Sequence, residues 1–359
     1  MGTLGILLLV PLIWPFVAKA LWKREITLLE LGANLAIGVA VVTAGYYGGR
    51  YLQGLDFEVQ NGRLLSKNSE KVSCEHSYTC NCREICSGSG SSRSCSTTCD
   101  TCYEHSYDVD WKLKTEVGDI KVGRVDRRGT TEPPRFTRAK PGDPVSVTKA
   151  YENYIKAAPD SLFNKATEQS LKAQFGSRLL PYPNDVKDLH YVNRVLVQGV
   201  SVPDIAQWNA DLQDLLATLG PKKQVNAIIV LTNEANQNFA EALRAHWLGG
   251  KKNDVVIVLG VTQYPEIAWS RVFSWTDREL FKVELRDALQ DLKTLDRNQV
   301  MNVLKDNITR GFVRKPMKDF EYLKNEVEPP LWLSILLSVL GLGVSVGASM
   351  YLARNDFRD

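Results

Sequence analysis

A stripe of small residues runs through the uncharged segment 31–49, LGANLAIGVAVVTAGYYGG. As an α-helix, this segment is long enough to span the roughly 30 Å hydrocarbon core of a bilayer. The small residues recur at every fourth position and so share one helix face: Gly32, Ala36, Ala40, Ala44 and Gly48. Lipid gives helices no hydrophobic reason to associate, so small faces of this kind let transmembrane helices pack closely. The sequence predicts an integral membrane protein that contacts the lipid bilayer and either self-associates or binds another membrane protein through this face.

Two further segments complete a predicted set of three transmembrane helices. Residues 2–18 are uncharged and include Pro11 and Pro15. A cleaved signal peptide is the alternative, but the segment has no basic start and a second span follows directly, which favours a retained span. Residues 331–353 contain the spacing Gly343-x3-Gly347, a second small-residue contact pair. The sequence leaves open whether these glycines meet the stripe of the same chain or of a neighbouring chain.

Basic residues beside the spans predict the orientation in the membrane. They are Lys19, Lys23, Arg24, Arg354 and Arg358. Short cytoplasmic loops are enriched in Lys and Arg, so the loop after the first span and the C-terminal tail are predicted to be cytoplasmic. The soluble residues 50–330 then lie outside, in a periplasm or an equivalent space. The reversed orientation is the alternative.

Length and charge limit the domain organisation and the partners. The net charge is +3 with no long block of like charges, so nucleic-acid binding has no electrostatic footprint. The soluble part is long enough for two domains. The predicted division is 1–52, two transmembrane helices; 53–135, a Cys-rich β module; 136–190, a linker with helices; 191–328, an α/β domain; and 329–359, a transmembrane helix with a short tail.

All seven cysteines fall within the β module, together with two of the four histidines. They are Cys74, Cys80, Cys82, Cys86, Cys95, Cys99 and Cys102, accompanied by His76 and His105. Two interpretations stay open. In the first, the thiolates of Cys80, Cys82, Cys99 and Cys102 bind a structural zinc ion, and Cys74, His76 and His105 hold a second ion or cap the first.

In the second interpretation the cysteines form disulfides, as expected in an oxidising compartment. Cys86 and Cys95 would then close a Gly/Ser-rich tip. The odd number of cysteines leaves one thiol free or intermolecular. In either case the role is structural, because a small β module with a thin core needs cross-links.

Residues 191–328 alternate between apolar strand-like runs and amphipathic helical segments, which predicts a layered α/β domain. Within it, the segment 239–261, FAEALRAHWLGGKKNDVVIVLGV, has a helix ending in Trp-x-Gly-Gly, a basic turn and an apolar strand. This order resembles the TPM domain family. The resemblance implies an extracytoplasmic domain tethered by a membrane helix, in a family that includes phosphatases and accessory factors of membrane complexes. The family usually has a glycine after the basic turn, whereas Val255 follows Asp254 here.

The Cys-rich module combined with this domain is also similar to uncharacterised membrane proteins of tailed bacteriophages. That similarity implies the inner membrane of a bacterial host, with the soluble domains in the periplasm. Together the two resemblances imply an accessory or scaffold protein of a membrane complex or of a phage-modified envelope. If the phage similarity holds, a lysis or host-envelope modifier is a further candidate function.

A membrane-tethered, phosphatase-like hydrolase is the alternative function. Its best candidate residues are Asp254 beside Lys251 and Lys252, with Asp277 as a partner. A solvated polar turn at Asp254 and a helix N-cap at Asp277 explain these carboxylates better than catalysis does. His190 and His246 lie far along the sequence from the cysteines, and the chain has no phosphate-binding loop, nucleophile elbow or HExxH motif. The sequence therefore favours a protein without catalysis and with no cofactor other than structural zinc.

Overall fold

The computed structural model describes residues 2–22, 27–87, 94–158, 166–184 and 193–354. Four residues of the sequence-based predictions lie outside the described residues: Lys23, Arg24, His190 and Arg358. The helices are α1 (Gly2–Trp22), α2 (Leu28–Gly54), α3 (Pro134–Arg138), α4 (Tyr154–Ala157), α5 (Ala166–Phe175), α6 (Ile205–Lys223), α7 (Asn238–His246), α8 (Glu279–Asp291), α9 (Arg297–Gly311) and α10 (Leu331–Arg354). The strands are β1 (Leu55–Val72), β2 (Ser77–Ser87), β3 (Ser94–Tyr103), β4 (Asp108–Thr115), β5 (Ile120–Val122), β6 (Pro144–Glu152), β7 (Val195–Gln198), β8 (Asn226–Thr232), β9 (Asp254–Gly260) and β10 (Trp269–Ser274).

Three of the described helices, α1, α2 and α10, are long and apolar enough to cross a membrane, as predicted. They pack together as a bundle. The hydroxyl of Thr3 in α1 donates a hydrogen bond to Glu328, just before α10, at 2.5 Å. Near the end of α2, Gly49 lies against Pro329 and Leu333. The start of α1, the end of α2 and the start of α10 therefore share one end of the bundle, where the soluble part begins and ends.

The first sheet follows directly on the bundle of three apolar helices. Helix α2 ends at Gly54 and β1 begins at the next residue. The strand order is β5-β4-β1-β6, and every pairing is antiparallel. The first half of β1 pairs with β6 and its second half pairs with β4. Residues 136–190, predicted as a linker with helices, therefore also supply the strand β6 that completes this sheet.

The cysteine segments themselves form a two-stranded ribbon, β2–β3, whose register runs from Ser77 opposite Tyr103 to Ser87 opposite Ser94. Most side chains of β2 are exposed. Such a ribbon has almost no apolar surface to bury, so hydrophobic packing contributes little to its stability. Cross-links must hold it instead.

The second sheet has the order β10-β9-β8-β7, with β7, β8 and β9 parallel and β10 antiparallel at the edge. Helices α6, α8 and α9 cover one face, and α5 and α7 cover the other. All residues of β8 and β9 are buried, which explains their continuous apolar runs. The predicted mixed α/β architecture is confirmed.

Candidate functional site

Helix α2 has two faces with different environments. One face packs against α1 and α10 and is formed by Asn34, Gly38, Val42, Tyr46 and Gly49. At Gly45, which borders this face, a Cβ atom would lie 2.2 Å from Cδ2 of Leu337 in α10. Close approach of the helices therefore depends on glycines other than those of the predicted stripe.

The predicted stripe lies on the opposite face of α2. Ala36, for example, is two positions after the packed residue Asn34, which corresponds to a rotation of about 200° around the helix axis. Gly32, Ala36, Ala40, Ala44 and Gly48 are all exposed in the described chain. A Cβ atom added at Gly32 or Gly48 would meet no atom within 4 Å. The same is true of Gly343 and Gly347 on α10. In the described residues, the two small-residue motifs thus do not pack against each other.

A polar contact that the sequence reading missed fixes the register of the bundle. The side-chain amide of buried Asn34 donates to the backbone oxygen of Ser345 at 2.9 Å and to the hydroxyl of Ser349 at 2.6 Å. The indole nitrogen of Trp14 donates to the same hydroxyl at 3.1 Å. All three helices therefore meet at this point, which leaves the stripe as the free face of α2.

Charged side chains join the first sheet to the α/β domain. The ammonium group of Lys251 lies 2.5 Å from a carboxylate oxygen of Asp56, and Arg314 pairs with Glu58 at 2.5 Å. Burial acts to raise the pKa of Asp56, but the charge and hydrogen bond of Lys251 outweigh it and lower that pKa. A cleft of about 630 Å³ opens beside this pair and is also lined by Lys156.

Asp254, the leading catalytic candidate, is a fully buried structural carboxylate. It accepts hydrogen bonds from the Asn226 amide at 2.8 Å, the Lys251 backbone nitrogen at 2.7 Å and the Tyr182 hydroxyl at 2.8 Å. Burial raises its pKa. Asp277 is exposed instead, and its carboxylate pairs with Lys315 at 2.5 Å. The structure gives the two carboxylates different partners and does not bring them together in one set of contacts.

The other basic residues that the sequence analysis named in the α/β domain, Lys252 and His246, also have surroundings that suit a structural role. Lys252 lies 3.7 Å from Glu58. His246 is on the exposed face of α7, and partial burial followed by the charge of Lys172 lowers its pKa. The sequence did not single out Arg194, which is buried. Among the described residues, two of its nitrogens find no hydrogen-bond partner, and burial lowers its pKa to about 10.

Six of the seven cysteines are paired as disulfides across the ribbon, which corresponds to the second sequence interpretation. The pairs are Cys80–Cys102, Cys82–Cys99 and Cys86–Cys95. The four cysteines that the zinc interpretation grouped together are thus bonded to one another, and a disulfide sulfur offers no thiolate to a metal. Residues 88–93, the Gly/Ser-rich tip, lie outside the described residues.

The seventh cysteine, Cys74, is buried and free. Its sulfur lies 3.7 Å from Nδ1 of His105, and that nitrogen lies 3.4 Å from Oδ1 of the fully buried Asp108. The other oxygen of Asp108 accepts hydrogen bonds from the backbone of Glu75 and from Arg124, which together lower the pKa of Asp108. His76 contributes its backbone nitrogen to Cys74 and is not in the described cluster of ligand atoms.

Comparison of the chain with protein-family models, with curated proteins and with solved structures finds no match. The resemblances to TPM domains and to bacteriophage membrane proteins therefore stay predictions from the sequence. The class that the structure defines is a mixed α/β protein with three apolar helices and a disulfide-linked ribbon.

Proposed function

We propose that this chain is a membrane-anchored binding or assembly protein that self-associates through the small-residue face of α2. The observation that carries the proposal is the exposure of all five stripe residues while the opposite face of α2 is used within the chain. Small residues on a lipid-facing surface give up side-chain packing with lipid but allow a second helix to approach closely. The occupant that we propose is α2 of a second copy, because two identical stripes give a symmetric interface.

The soluble domains are proposed to lie in the periplasm of a bacterial inner membrane and to act as an accessory or scaffold unit, with the α/β domain related to TPM domains. Three disulfides support an oxidising compartment. The hydrolase alternative has less support, because Asp254 is buried and fully engaged in hydrogen bonds.

The self-association is tested by comparing Ala40→Leu with Gly45→Leu in the full chain in detergent micelles. Ala40 lies on the exposed stripe, whereas Gly45 contacts Leu337. We expect Ala40→Leu to weaken chemical cross-linking between copies while leaving the melting temperature unchanged, and Gly45→Leu to lower the melting temperature. Ile6→Leu, at an exposed position on α1 rather than α2, is the control and should change neither.

A wild-type chain that stays monomeric across detergent-to-protein ratios would overturn this proposal, as would unchanged cross-linking in Ala40→Leu. The compartment is tested separately by unfolding protein from native membranes in denaturant and chelator, alkylating it without reductant and weighing it. Three disulfides with one alkylated thiol support the outward orientation, and seven alkylated thiols contradict it.

A further inference from the structure

Three side chains that can bind a metal meet where the disulfide ribbon joins the first sheet. Cys74 precedes β2, His105 follows β3 and Asp108 begins β4. Their ligand atoms, one sulfur, one ring nitrogen and one carboxylate oxygen, all lie within 4.8 Å of one another. The ribbon therefore enters and leaves the sheet through this cluster.

The distances fit a single ion. Zinc binds sulfur at about 2.3 Å and nitrogen or oxygen at about 2.0–2.2 Å, so tetrahedral ligand atoms are about 3.3–3.6 Å apart. The sulfur of Cys74 lies 3.7 Å from Nδ1 of His105, and Nδ1 lies 3.4 Å from Oδ1 of Asp108. Small shifts of these side chains would allow the three ligand atoms to bind one and the same ion.

Asp108 provides a second, independent observation. Its Oδ1 atom is fully buried, and no donor of the described residues meets it with full hydrogen-bond geometry; the polar groups close to it are the thiol of Cys74 and Nδ1 of His105. A buried oxygen without a partner is unfavourable. Its Oδ2 atom is already held by the Glu75 backbone at 3.0 Å and by Arg124 at 2.9 Å. These contacts orient the free oxygen toward Cys74 and His105, as outer contacts do in metal sites.

We propose that Cys74 Sγ, His105 Nδ1 and Asp108 Oδ1 bind one divalent ion of the zinc class. On binding, the thiol of Cys74 releases its proton to solvent, so that a thiolate and a carboxylate balance the 2+ charge. The side chain of His105 is 26% exposed, which lets a water molecule complete the coordination. Arg124 is balanced by Asp110, which it contacts at 2.6 Å. The ion would fix both ends of the ribbon and hold Cys74 as a thiolate that forms no disulfide.

The proposal is independent of self-association and is tested on the full chain in detergent micelles, purified without reductant. The chain is loaded with zinc, desalted and analysed for metal per chain, and cobalt replaces zinc in a parallel sample. We expect one ion in the wild type, with a thiolate-to-cobalt charge-transfer absorption. Cys74→Ser and His105→Gln should each weaken binding at least tenfold, whereas His76→Gln, two residues from Cys74, should bind as the wild type does.

Three results would overturn the proposal: no stoichiometric ion in the wild type, a cobalt complex without thiolate absorption, or His76→Gln losing the ion as completely as His105→Gln. Each variant is first checked by mass for its three disulfides. His105 is partly exposed, so His105→Gln keeps the test valid even where Cys74→Ser disturbs the buried site.

Discussion

Asp254, the first residue of β9, accepts three hydrogen bonds at once. The donors are the side chains of Tyr182 and of Asn226, which begins β8, and the backbone nitrogen of Lys251. In Asp254→Asn, one acceptor oxygen becomes an NH2 group that faces donors. An unsatisfied buried group costs about 1–3 kcal/mol, so we expect the free energy of unfolding to fall by that amount. Chemical denaturation of the full chain in micelles measures it.

Asp277→Asn is the matched control, because it makes the same change at a carboxylate that is 71% exposed. Surface pairs contribute about 0–1 kcal/mol, so its stability should be close to that of the wild type. Equal losses in the two variants would contradict the structural role of Asp254. Turnover of a generic phosphoester by the wild type, abolished by Asp254→Asn, would favour the hydrolase alternative.

Asp126 organises the loop after β5 by accepting backbone hydrogen bonds, including those of Gly129 at 2.6 Å and Thr131 at 2.6 Å. The side chain and backbone of Thr131 contribute most to lowering the pKa of Asp126, to about 2. A lowered pKa in the folded state means that this stabilisation is complete above the unfolded pKa of about 3.9 and is lost as the pH falls.

We therefore expect Asp126→Asn to be less stable than the wild type at neutral pH. The difference between them should shrink below about pH 3.9, the unfolded pKa, and vanish near the folded pKa of about 2. Thermal unfolding of both proteins across this range measures it. A difference that stays constant with pH would show that the charge of Asp126 does not contribute.

At the scale of elements, the sequence predicts best where burial is complete. The strands β8 and β9 are buried at every position, and their continuous apolar runs predicted them as strands. The ribbon was not predicted as strands, because exposed Ser, Thr and Cys residues carry no alternation of polar and apolar side chains. The spacing identified the small-residue motifs of α2 and α10. It does not encode which face of each helix packs within the bundle, and the structure leaves both motifs exposed.

The ribbon should lose its structure when its disulfides are reduced, while the α/β domain keeps its fold. Each disulfide typically contributes about 2–4 kcal/mol, and β2 buries almost no side chain that could replace it. Limited proteolysis with and without reductant, followed by mass spectrometry, measures this. We expect new cleavages within 77–103 and none within 226–260. The experiment would contradict the prediction if the reduced ribbon stayed resistant.

At the scale of the whole molecule, contacts between distant segments separate what the sequence can predict from what it cannot. Cys74 and His105 were grouped from their clustering and Asp108 was not; Asp108 lies three residues after His105, and the pairing of β1 with β4 brings Cys74 to both of them. In the same way, Lys251 was singled out as a neighbour of Asp254, whereas its side chain reaches Asp56 at the start of β1. Such partners become visible only when the topology is known.

The pair Asp56–Lys251 connects β1, the strand that directly follows α2, with the α/β domain, so its loss should weaken the coupling between these two parts. Removing one partner of a buried ion pair costs about 3–5 kcal/mol, and Asp56 is 5% exposed. We therefore expect Lys251→Met to lower stability at neutral pH and to unfold in two transitions, whereas the wild type is expected to unfold in one. Calorimetry of the full chain in micelles measures both effects.

Lys252→Met is the matched control on the neighbouring residue. Lys252 lies 3.7 Å from Glu58, which keeps its closer partner Arg314, so a smaller loss is expected. Because Lys251 lowers the pKa of Asp56, the stabilisation by their pair is present above the unfolded pKa of Asp56 and is lost in acid. The difference between the wild type and Lys251→Met should shrink accordingly as the pH falls. A single transition in Lys251→Met, with a stability equal to that of Lys252→Met at every pH, would mean that other contacts couple the domains.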